Sequence, residues 1–306
     1  MHMSVIIPAW NAADTLRACV ESVRAAAAGM PVEIIVVDDG STDGTAAVLA
    51  DLAERHGEIR SLWQEHAGVS AARNRGLSAA TGGRVTFVDA DDAPVPGSLA
   101  ALDAAPSADI LIARSFNGSV ERYPWQGAFS EGRDYRAAEL LQKGYLRGSV
   151  CGCLFRRDFL LSEGLRFPEG VSLSEDTVFF GACLAKARTI AFCNKDFYHI
   201  TERPGSASRQ AGPDVVTRSA AAIEAALRDV SDPAVRSYTL FKLILMLSSR
   251  AARAGVPAGA VRAAASLERI LPLPLAGIGA ERWKIRLLNT SYPLFYRLIA
   301  LRDRLR

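Results

Sequence analysis

The stretch Val85-Thr-Phe-Val-Asp-Ala-Asp-Asp92 is an apolar strand pattern that ends in three carboxylates. Carboxylates this close repel one another unless they share a proton or a cation lies between them. Open α/β sheets present ligand-binding side chains in this manner, at the carboxyl edge of their strands. A plain polar turn is the competing interpretation, since aspartate is common in turns. The acidic cluster therefore predicts either a cation site or a turn.

The same pattern of an apolar strand followed by polar residues recurs through the first third of the chain. Strand patterns end near residues 8, 38, 64 and 89, a spacing of about 25 to 30 residues that suits right-handed β-α-β units. Their near-continuous apolar character favours a parallel sheet with helices on both faces. Pro8-Ala-Trp10, Asp38-Asp39 and Asp89–Asp92 would then lie at one carboxyl edge. The prediction is an α/β, Rossmann-like, mostly parallel sheet with a helical extension after it.

Composition sets the broad class of the protein. The 306 residues are 49% hydrophobic and 23% charged, which suits one large domain or a domain with an appended subdomain. The first residues lack the features of a signal peptide, and no apolar run reaches the length of a spanning helix. The five cysteines have neither disulfide nor zinc spacing, so we expect them to be reduced and mostly buried, in a cytoplasmic protein.

Several motifs, in order along the chain, resemble those of family 2 glycosyltransferases with the GT-A fold. They are Val5–Asn11, Ile34–Asp43, Gly68–Gly76, Val88–Asp92, Gly164–Gly170 and Ser174–Phe179. The resemblance covers roughly residues 3 to 210. It implies a GT-A domain over 1–212, with a nucleotide-sugar-binding half over about 1–95 and an acceptor and catalytic half over about 96–212. A helical region over 213–306 would follow.

The resemblance implies that Asp89-Ala-Asp91 binds Mn²⁺ or Mg²⁺, which bridges the donor's diphosphate. Carboxylate and phosphate oxygens suit such cations. Asp91 is the first choice as ligand and Asp92 the alternate, while Asp89 approaches the ribose or binds the metal through water. His199 is a further candidate ligand, although a lone histidine there is at least as often structural.

The nucleotide itself is expected to contact residues at the ends of the first three strands. The resemblance implies that Asp38 and Asp39 recognise the nucleotide, with Asp39 accepting from the uracil imide; the alternative is capping of a helix that begins near Ser41. Trp10, just after Pro8, either stacks on the base or packs in the core. Arg73 is expected near the base and phosphates.

The resemblance places the chemistry at Glu175-Asp176. An inverting transferase needs a base that takes the proton of the attacking acceptor hydroxyl, and we assign Asp176, with Glu175 as second choice. The alternative role is a helix start capped by Ser174, and both roles are compatible. In the following loop, Arg203 and Ser206 are expected to clamp the diphosphate.

The last third of the chain carries helical patterns and a basic final segment. Residues 281–306 contain seven basic and two acidic residues, interleaved with Trp283, tyrosines and leucines. A basic amphipathic segment with aromatic residues can lie on an anionic membrane surface. A helical subdomain that packs on the core with a basic outer face is the alternative, and the pattern leaves both open.

Together these features predict a metal-dependent, inverting glycosyltransferase that uses a nucleotide sugar, with UDP as the first choice. The acceptor would be a glycan or lipid-linked hydroxyl in cell-surface polysaccharide synthesis, and no nucleic acid is expected as a partner. A binding or partner-recruiting protein without catalysis is the alternative, and homo-oligomers are compatible with either. Nucleotidyl transfer is disfavoured because no glycine-rich basic loop follows the first strand. The sugar and the acceptor are not predicted.

Overall fold

The computed structural model describes residues 3–171, 173–201, 212–228, 230–279 and 281–305. The chain divides into two compact units. The first, here called the sheet unit, consists of Met1–Arg136, Ser149–Glu169 and Ala187–Glu202. The second, the helical unit, consists of Ala137–Gly148, Gly170–Lys186 and Arg203–Arg306.

The sheet unit contains every strand found in the described residues. The strands are β1 (Met3–Ala9), β2 (Val32–Asp39), β3 (Ile59–Gln64), β4 (Arg84–Phe87), β5 (Ala93–Pro94), β6 (Ile110–Asn117), β7 (Val120–Arg122), β8 (Cys153–Arg156) and β9 (Ile190–Ile200). They form one sheet in the order β3-β2-β1-β4-β8-β6-β9-β5, with β7 beside β6.

The first four strands are parallel, as the spacing of the strand patterns predicts. β1 pairs with β2 and β4, and β2 pairs with β3. Ile6, Ile7, Val36 and Phe87 are fully buried, which explains why these strands read as continuous apolar runs. The predicted α/β class is confirmed. The sheet as a whole is mixed rather than mostly parallel, because β4–β8, β8–β6, β6–β7 and β5–β9 are antiparallel pairs.

Helices connect the strands of the sheet unit. They are α1 (Leu16–Ala27), α2 (Thr45–Arg55), α3 (Val69–Ala79), α4 (Ser98–Asp103) and α6 (Arg157–Ser162). Helix α3 packs closely on β1 at Gly76, where an added Cβ would lie 2.4 Å from Ile6 Cγ2. Glycine is therefore required there, and it sets the depth at which the start of α3 reaches the sheet edge.

The described residues of the helical unit form helices and loops without strands. The helices are α5 (Ala137–Gln142), α7 (Glu175–Lys186), α8 (Pro213–Ala226), α9 (Pro233–Arg253), α10 (Ala258–Ala264), α11 (Leu267–Ile270), α12 (Arg282–Thr290) and α13 (Tyr292–Arg304). The predicted C-terminal helical region is therefore present. Among the described residues, no helix combines the length and apolar character needed to cross a membrane.

The compact units divide the chain differently from the predicted boundary at residue 212. Segments 137–148 and 170–186 precede that boundary but belong to the helical unit. The reason is packing: Gly181 of α7 lies so close to Thr239 of α9 that an added Cβ would be 2.6 Å from its Oγ1. As a division by function, 1–212 and 213–306 stays a prediction. All five cysteines are buried and none of them forms a disulfide, in line with the expected reduced, mostly buried cysteines.

Candidate functional site

Two neighbouring strand ends bring the first predicted site residues together at the carboxyl edge of the sheet unit. Strand register places Ala9 beside Asp38 and Asp39 beside Gln64. After β2, Gly40 turns the chain with a φ of 67°, and an added Cβ there would lie 2.7 Å from the backbone nitrogen of His66. The loops that follow β2 and β3 therefore touch at a position that only glycine allows.

Asp39 is a buried carboxylate whose oxygens are held by the loop after β3. Oδ1 accepts hydrogen bonds from Gln64 Nε2 (2.6 Å) and from the backbone N–H of Ala67 (2.9 Å). Oδ2 accepts from the N–H of Gly68 (2.8 Å), and His66 Nδ1 lies 2.9 Å from it. Because Gly68 is the N-cap of α3, the carboxylate also lies at a helix N-terminus, where negative charge is favoured. The proposed contact of Asp39 with a base stays a prediction, and it would compete with these donors.

Asp38 has a local role in the turn after its strand. Its Oδ1 accepts a 3.0 Å hydrogen bond from the N–H of Ser41, and its side chain is buried. The prediction of a helix near Ser41 is wrong, because α2 begins at Thr45. Asp43 accepts from the backbone N–H of Thr45 (2.9 Å), so the turn is longer than expected and Asp38 stabilises it without capping the helix.

Trp10 is exposed, which rules out the core-packing alternative. Its side chain is 55% exposed and its ring stacks on that of His66, with centroids 4.7 Å apart and an interplanar angle of 24°. The imidazole is itself fixed by Asp39, since Nδ1 can donate to the carboxylate and lies 3.1 Å from the Asp39 carbonyl oxygen. The two rings, here called the Trp10–His66 pair, form an exposed aromatic surface beside Pro8 at the end of β1.

Arg73 points inward to the acidic cluster. The side chain is buried, Nη2 donates a 2.8 Å hydrogen bond to Asp89 Oδ1, and the guanidinium lies 5.1 Å from the ring centre of Phe167. Arg75, two residues further along α3, is exposed, as helical geometry predicts. A contact of Arg73 with nucleotide phosphates stays a prediction; its observed partner is a carboxylate of the cluster.

A single tyrosine hydroxyl holds both ends of the acidic turn. Tyr198 is fully buried on β9. Its hydroxyl accepts a 3.0 Å hydrogen bond from the N–H of Asp89 and donates a 2.8 Å bond to Asp92 Oδ2. Asp92 Oδ1 accepts from the N–H of Thr201 (2.7 Å), and the N–H of Asp92 donates to the carbonyl of Asp89 (3.0 Å). The turn is therefore held rigidly.

The electrostatics of the turn follow from this burial. Loss of solvent, together with the charges of Asp89 and Asp91, raises the pKa of Asp92 from 3.8 to about 7, and the hydrogen bonds from Thr201 and Tyr198 only partly oppose the shift. Asp89 lies in the same field but keeps a side chain that is 37% exposed. The turn thus brings three carboxylates together, and the guanidinium of Arg73 pairs with one of them, Asp89.

The metal-binding role of the cluster stays a prediction. Asp91 is partly exposed and remains the first choice, because both oxygens of Asp92 already accept hydrogen bonds. Among the described residues, no group of three or more histidine, cysteine or acidic side chains is arranged to hold a metal ion. His199 is exposed and pairs in register with Ala93, two residues from Asp91, but its ring stacks on Phe116 with centroids 5.6 Å apart.

The residues predicted to carry the chemistry lie in the helical unit. Glu175 and Asp176 begin α7, and Asp176 is buried. The predicted cap by Ser174 is wrong: its φ is 69°, and within the described residues its buried hydroxyl has no hydrogen-bond partner. The Ser174 carbonyl instead accepts from the N–H of Thr177 and Val178. The predicted clamp residues Arg203 and Ser206 lie outside the described residues.

Sequence reasoning assigned no role to three residues of this edge, His66, Tyr198 and Cys151. His66 follows a weak strand pattern, and nothing local links it to Asp39, which precedes it by 27 residues. Tyr198 is 106 residues from Asp92. Their partners depend on tertiary structure, and an aromatic residue that directly precedes His199 was the only available signal. Cys151 is the third, with Sγ 3.6 Å from Asp89 Oδ2.

Comparison with known proteins shows which of them this chain is similar to. A family model described as "Glycosyl transferase family 2" matches residues 4–162. The succinoglycan biosynthesis protein ExoO of Rhizobium meliloti is 30% identical over 243 residues, which are 74% of this chain and 68% of that protein. The chain spans between 27% and 68% of the length of the first curated relatives that it matches.

Two solved structures share the fold. Residues 1–349 of TarS from S. aureus, in complex with UDP-GlcNAc, match with a TM-score of 0.64 at 19% identity, covering 100% of this chain and 92% of that chain. A mannosyltransferase from Pyrobaculum calidifontis, in complex with GDP-Man and Mn²⁺, matches with a TM-score of 0.57 at 19% identity, covering 99% and 86%. At these identities the likeness concerns the fold alone.

Proposed function

The chain belongs to glycosyl transferase family 2 and has the GT-A fold, and from this premise we propose that it is an inverting, metal-assisted glycosyltransferase. The observation that carries the proposal is the carboxyl edge of the sheet unit. There, an exposed aromatic pair lies beside the buried carboxylate Asp39, and a turn with three carboxylates, one of them buried, follows β4. Both features lie where open α/β sheets bind ligands.

The donor is a nucleoside diphosphate sugar, with UDP as the first choice. Support comes from the fold relative TarS, which was solved with UDP-GlcNAc, whereas the mannosyltransferase was solved with GDP-Man. The Trp10–His66 pair would take the base by stacking, which contributes about 1–3 kcal/mol per base. Asp39 would act mainly through His66, whose ring it orients. Arg73 and Pro8 complete the proposed donor-binding set with Asp38 and Asp89.

The acidic turn has a donor set that suits Mn²⁺ or Mg²⁺. Mg²⁺ is usually held by one or two carboxylates together with phosphate oxygens of the substrate, and the carboxylates of this turn offer ligands of that kind. Asp91 would hold the cation, with Asp92 and His199 as alternates. The charge that raises the pKa of Asp92 is the charge that a cation would neutralise. When bound, the cation would stabilise the negative charge of the departing diphosphate.

The proposed reaction is a single displacement. The oxygen of the acceptor hydroxyl attacks the anomeric carbon from the face opposite the diphosphate, and the bond between that carbon and the diphosphate oxygen breaks with its electron pair on the oxygen. Asp176 takes the hydroxyl proton, with Glu175 as the second candidate. Asp176 lies in the first turn of α7, where the helix N-terminus favours negative charge.

The acceptor is proposed to be a glycan or a lipid-linked sugar in polysaccharide synthesis. The support is the relationship to ExoO, a succinoglycan biosynthesis protein. Arg203 and Ser206 remain proposed contacts of the diphosphate. A binding protein without catalysis is the second candidate, and it shares the donor site but not the turnover.

A panel of UDP-, GDP- and dTDP-sugars tests the proposal, with donor binding and nucleotide release measured separately for each. We expect one donor to bind and to turn over. Asp176→Asn should bind that donor normally and lose about 10³-fold in turnover. Asp158→Asn is the matched control, since Asp158 is an exposed acid in the first turn of α6. Binding without turnover in the unaltered protein would favour the second candidate, and undiminished turnover in Asp176→Asn would overturn the base assignment.

A further inference from the structure

Helix α13 and its C-cap residue carry a row of leucines on the solvent side. Leu294, Leu298, Leu301 and Leu305 are between 45% and 80% exposed. At 100° per residue they fall within a sector of roughly 60°. The side chains with which α13 packs, Tyr292, Phe295, Tyr296 and Ile299, are buried and lie on the opposite side of the helix. The leucines are therefore a second apolar stripe that the fold of the helical unit does not use.

Arginines border this stripe on both sides. Arg297 and Arg304 lie on one side and Arg302 on the other, by the same helical geometry. Arg297 and Arg304 are exposed and form no ion pair with the described part of the chain. In α12, which precedes α13, the same holds for the exposed Arg282 and Arg286. An apolar stripe between cationic borders differs from an ordinary charged helix surface.

The two acidic residues of this region do not offset that positive charge at the surface. Glu281 is bonded to Tyr238 (2.5 Å) and Lys242 (2.6 Å) and also to Lys284. Burial would raise its pKa, but Lys242 and the other donors lower it to about 2. The Asp303 side chain is only 3% exposed and pairs with Arg302 (2.7 Å). The charge presented to solvent along α12 and α13 is therefore positive.

Helix α12 carries an exposed indole. Trp283 of α12 is 65% exposed, the largest exposed aromatic side chain of the helical unit's described residues. Tryptophan is enriched where one end of the side chain meets an apolar phase and the other meets water. With the leucine stripe and its arginines, this residue defines what we call the α12–α13 face.

We propose that the α12–α13 face is a docking surface for an anionic lipid membrane. The leucines would enter the boundary between headgroups and acyl chains, while the arginines remain at the level of the lipid phosphates. The α13 helix has 13 residues, too few to span a bilayer, so it lies in the membrane plane. A second copy of the chain fits less well, because a two-fold contact through this face would bring like charges together. The proposal does not depend on the proposed reaction.

Vesicle flotation of the full chain tests it, with phosphatidylcholine vesicles alone and with about 30% phosphatidylglycerol. We expect binding to the anionic vesicles only, and release as salt approaches about 1 M. Leu298→Ser with Leu301→Ser should weaken binding about tenfold or more, and so should Arg297→Gln with Arg304→Gln. The matched controls, at exposed positions elsewhere, are Val120→Ser with Leu161→Ser and Arg122→Gln with Arg218→Gln. They should bind as the unaltered chain does.

Several outcomes would overturn the proposal. The proposal is wrong if the unaltered chain does not bind anionic vesicles. It is also wrong if the α12–α13 variants bind as well as their controls. A dimer in light scattering that the double leucine variant dissociates, without vesicle binding, would assign the face to a second copy. Because the substituted side chains are exposed, the variants should unfold at the same temperature as the unaltered chain. Thermal unfolding therefore separates a binding defect from misfolding.

Discussion

The carboxyl edge of the sheet unit and the α12–α13 face of the helical unit both carry charged side chains, but most of those at the edge are buried and most of those on the face are exposed. At the edge, Asp39, Arg73 and Asp92 are buried and bonded to other groups of the chain. On the face, Arg297 and the leucine stripe are exposed to solvent. An edge that is already bonded holds atoms in fixed positions, as a small polar ligand requires. A face of exposed apolar and cationic groups instead offers area, which suits a large partner such as a membrane.

The contrast predicts that the two regions can be damaged separately. Substitutions at the edge should change stability or donor binding and leave vesicle binding intact. Substitutions on the face should change vesicle binding and leave donor turnover in solution intact. The following four variants test the edge, in order of decreasing effect.

Arg73→Gln should have the largest effect on stability, about 3 kcal/mol in the free energy of unfolding. It removes a buried partner of Asp89 and its contact with the Phe167 ring, and breaking a buried ion pair is strongly destabilising. Urea denaturation measures the loss. Arg75→Gln is the control, since this exposed side chain should cost less than about 0.5 kcal/mol. Equal losses in the two variants would contradict the structural role of Arg73.

Asp92→Asn should stabilise the metal-free chain at pH 8 by about 2 kcal/mol and change little below about pH 4. Burial and the charge of Asp89 raise the pKa of Asp92 to about 7. A raised pKa means that the stabilising contribution is complete below the ordinary value near 4 and is lost as the pH rises through about 7. Thermal unfolding in EDTA, measured for both proteins between about pH 4 and pH 8, gives this difference in stability. A variant with the same pH dependence as the unaltered chain would refute the assignment.

Tyr198→Phe should cost about 1.5 kcal/mol in stability, because it leaves the Asp89 N–H and Asp92 Oδ2 without their shared partner. The Michaelis constants for donor and metal should rise, since the acidic turn is no longer fixed. Tyr292→Phe is the control, because it also removes a buried hydroxyl contact, with Ser248 (3.2 Å), but in the helical unit. A rise in those constants for Tyr292→Phe alone would contradict this account.

Trp10→Ala should weaken donor binding about tenfold and leave stability nearly unchanged, because an exposed ring contributes mainly through stacking on the base. Trp63→Ala provides a matched control, since Trp63 is 59% exposed and lies on β3. Isothermal titration with the donor found in the panel measures the difference. Comparable donor affinities of the two variants would show that the Trp10–His66 pair is not part of the donor site.

Much of the sheet edge could be predicted because its signals are local. Apolar strand patterns that end in Asp38-Asp39 and in Asp89–Asp92 predict which edge of the sheet carries polar side chains. The observed strands end at Asp39, Gln64 and Phe87, as the predicted spacing requires. Burial of continuous apolar runs explains this success. Helix starts were harder: Asp43 and a longer turn displace the start of α2, and a positive φ at Ser174 prevents the expected cap.

The contacts that organise the edge could not be predicted from the chain alone. Tyr198 meets Asp92 because β9 pairs with β5, and His66 meets Asp39 because β2 and β3 are in register. These contacts depend on strand pairing, which periodicity does not reveal. The final segment presents the reverse case, since its leucines were visible in the sequence. Only the packing of Phe295 and Ile299 distinguishes the stripe that is exposed from the one that is buried.

The most direct test of the central claim is the initial rate of nucleotide release from the donor found in the panel, measured with Mn²⁺ and with EDTA. We expect EDTA to abolish the rate and Mn²⁺ to restore it, and we expect Asp91→Asn to stay at least about 100-fold slower with Mn²⁺ present. The Leu298→Ser, Leu301→Ser variant should keep the full rate in solution. An undiminished rate in EDTA, or an unaltered rate in Asp91→Asn, would contradict the metal-assisted reaction at this edge.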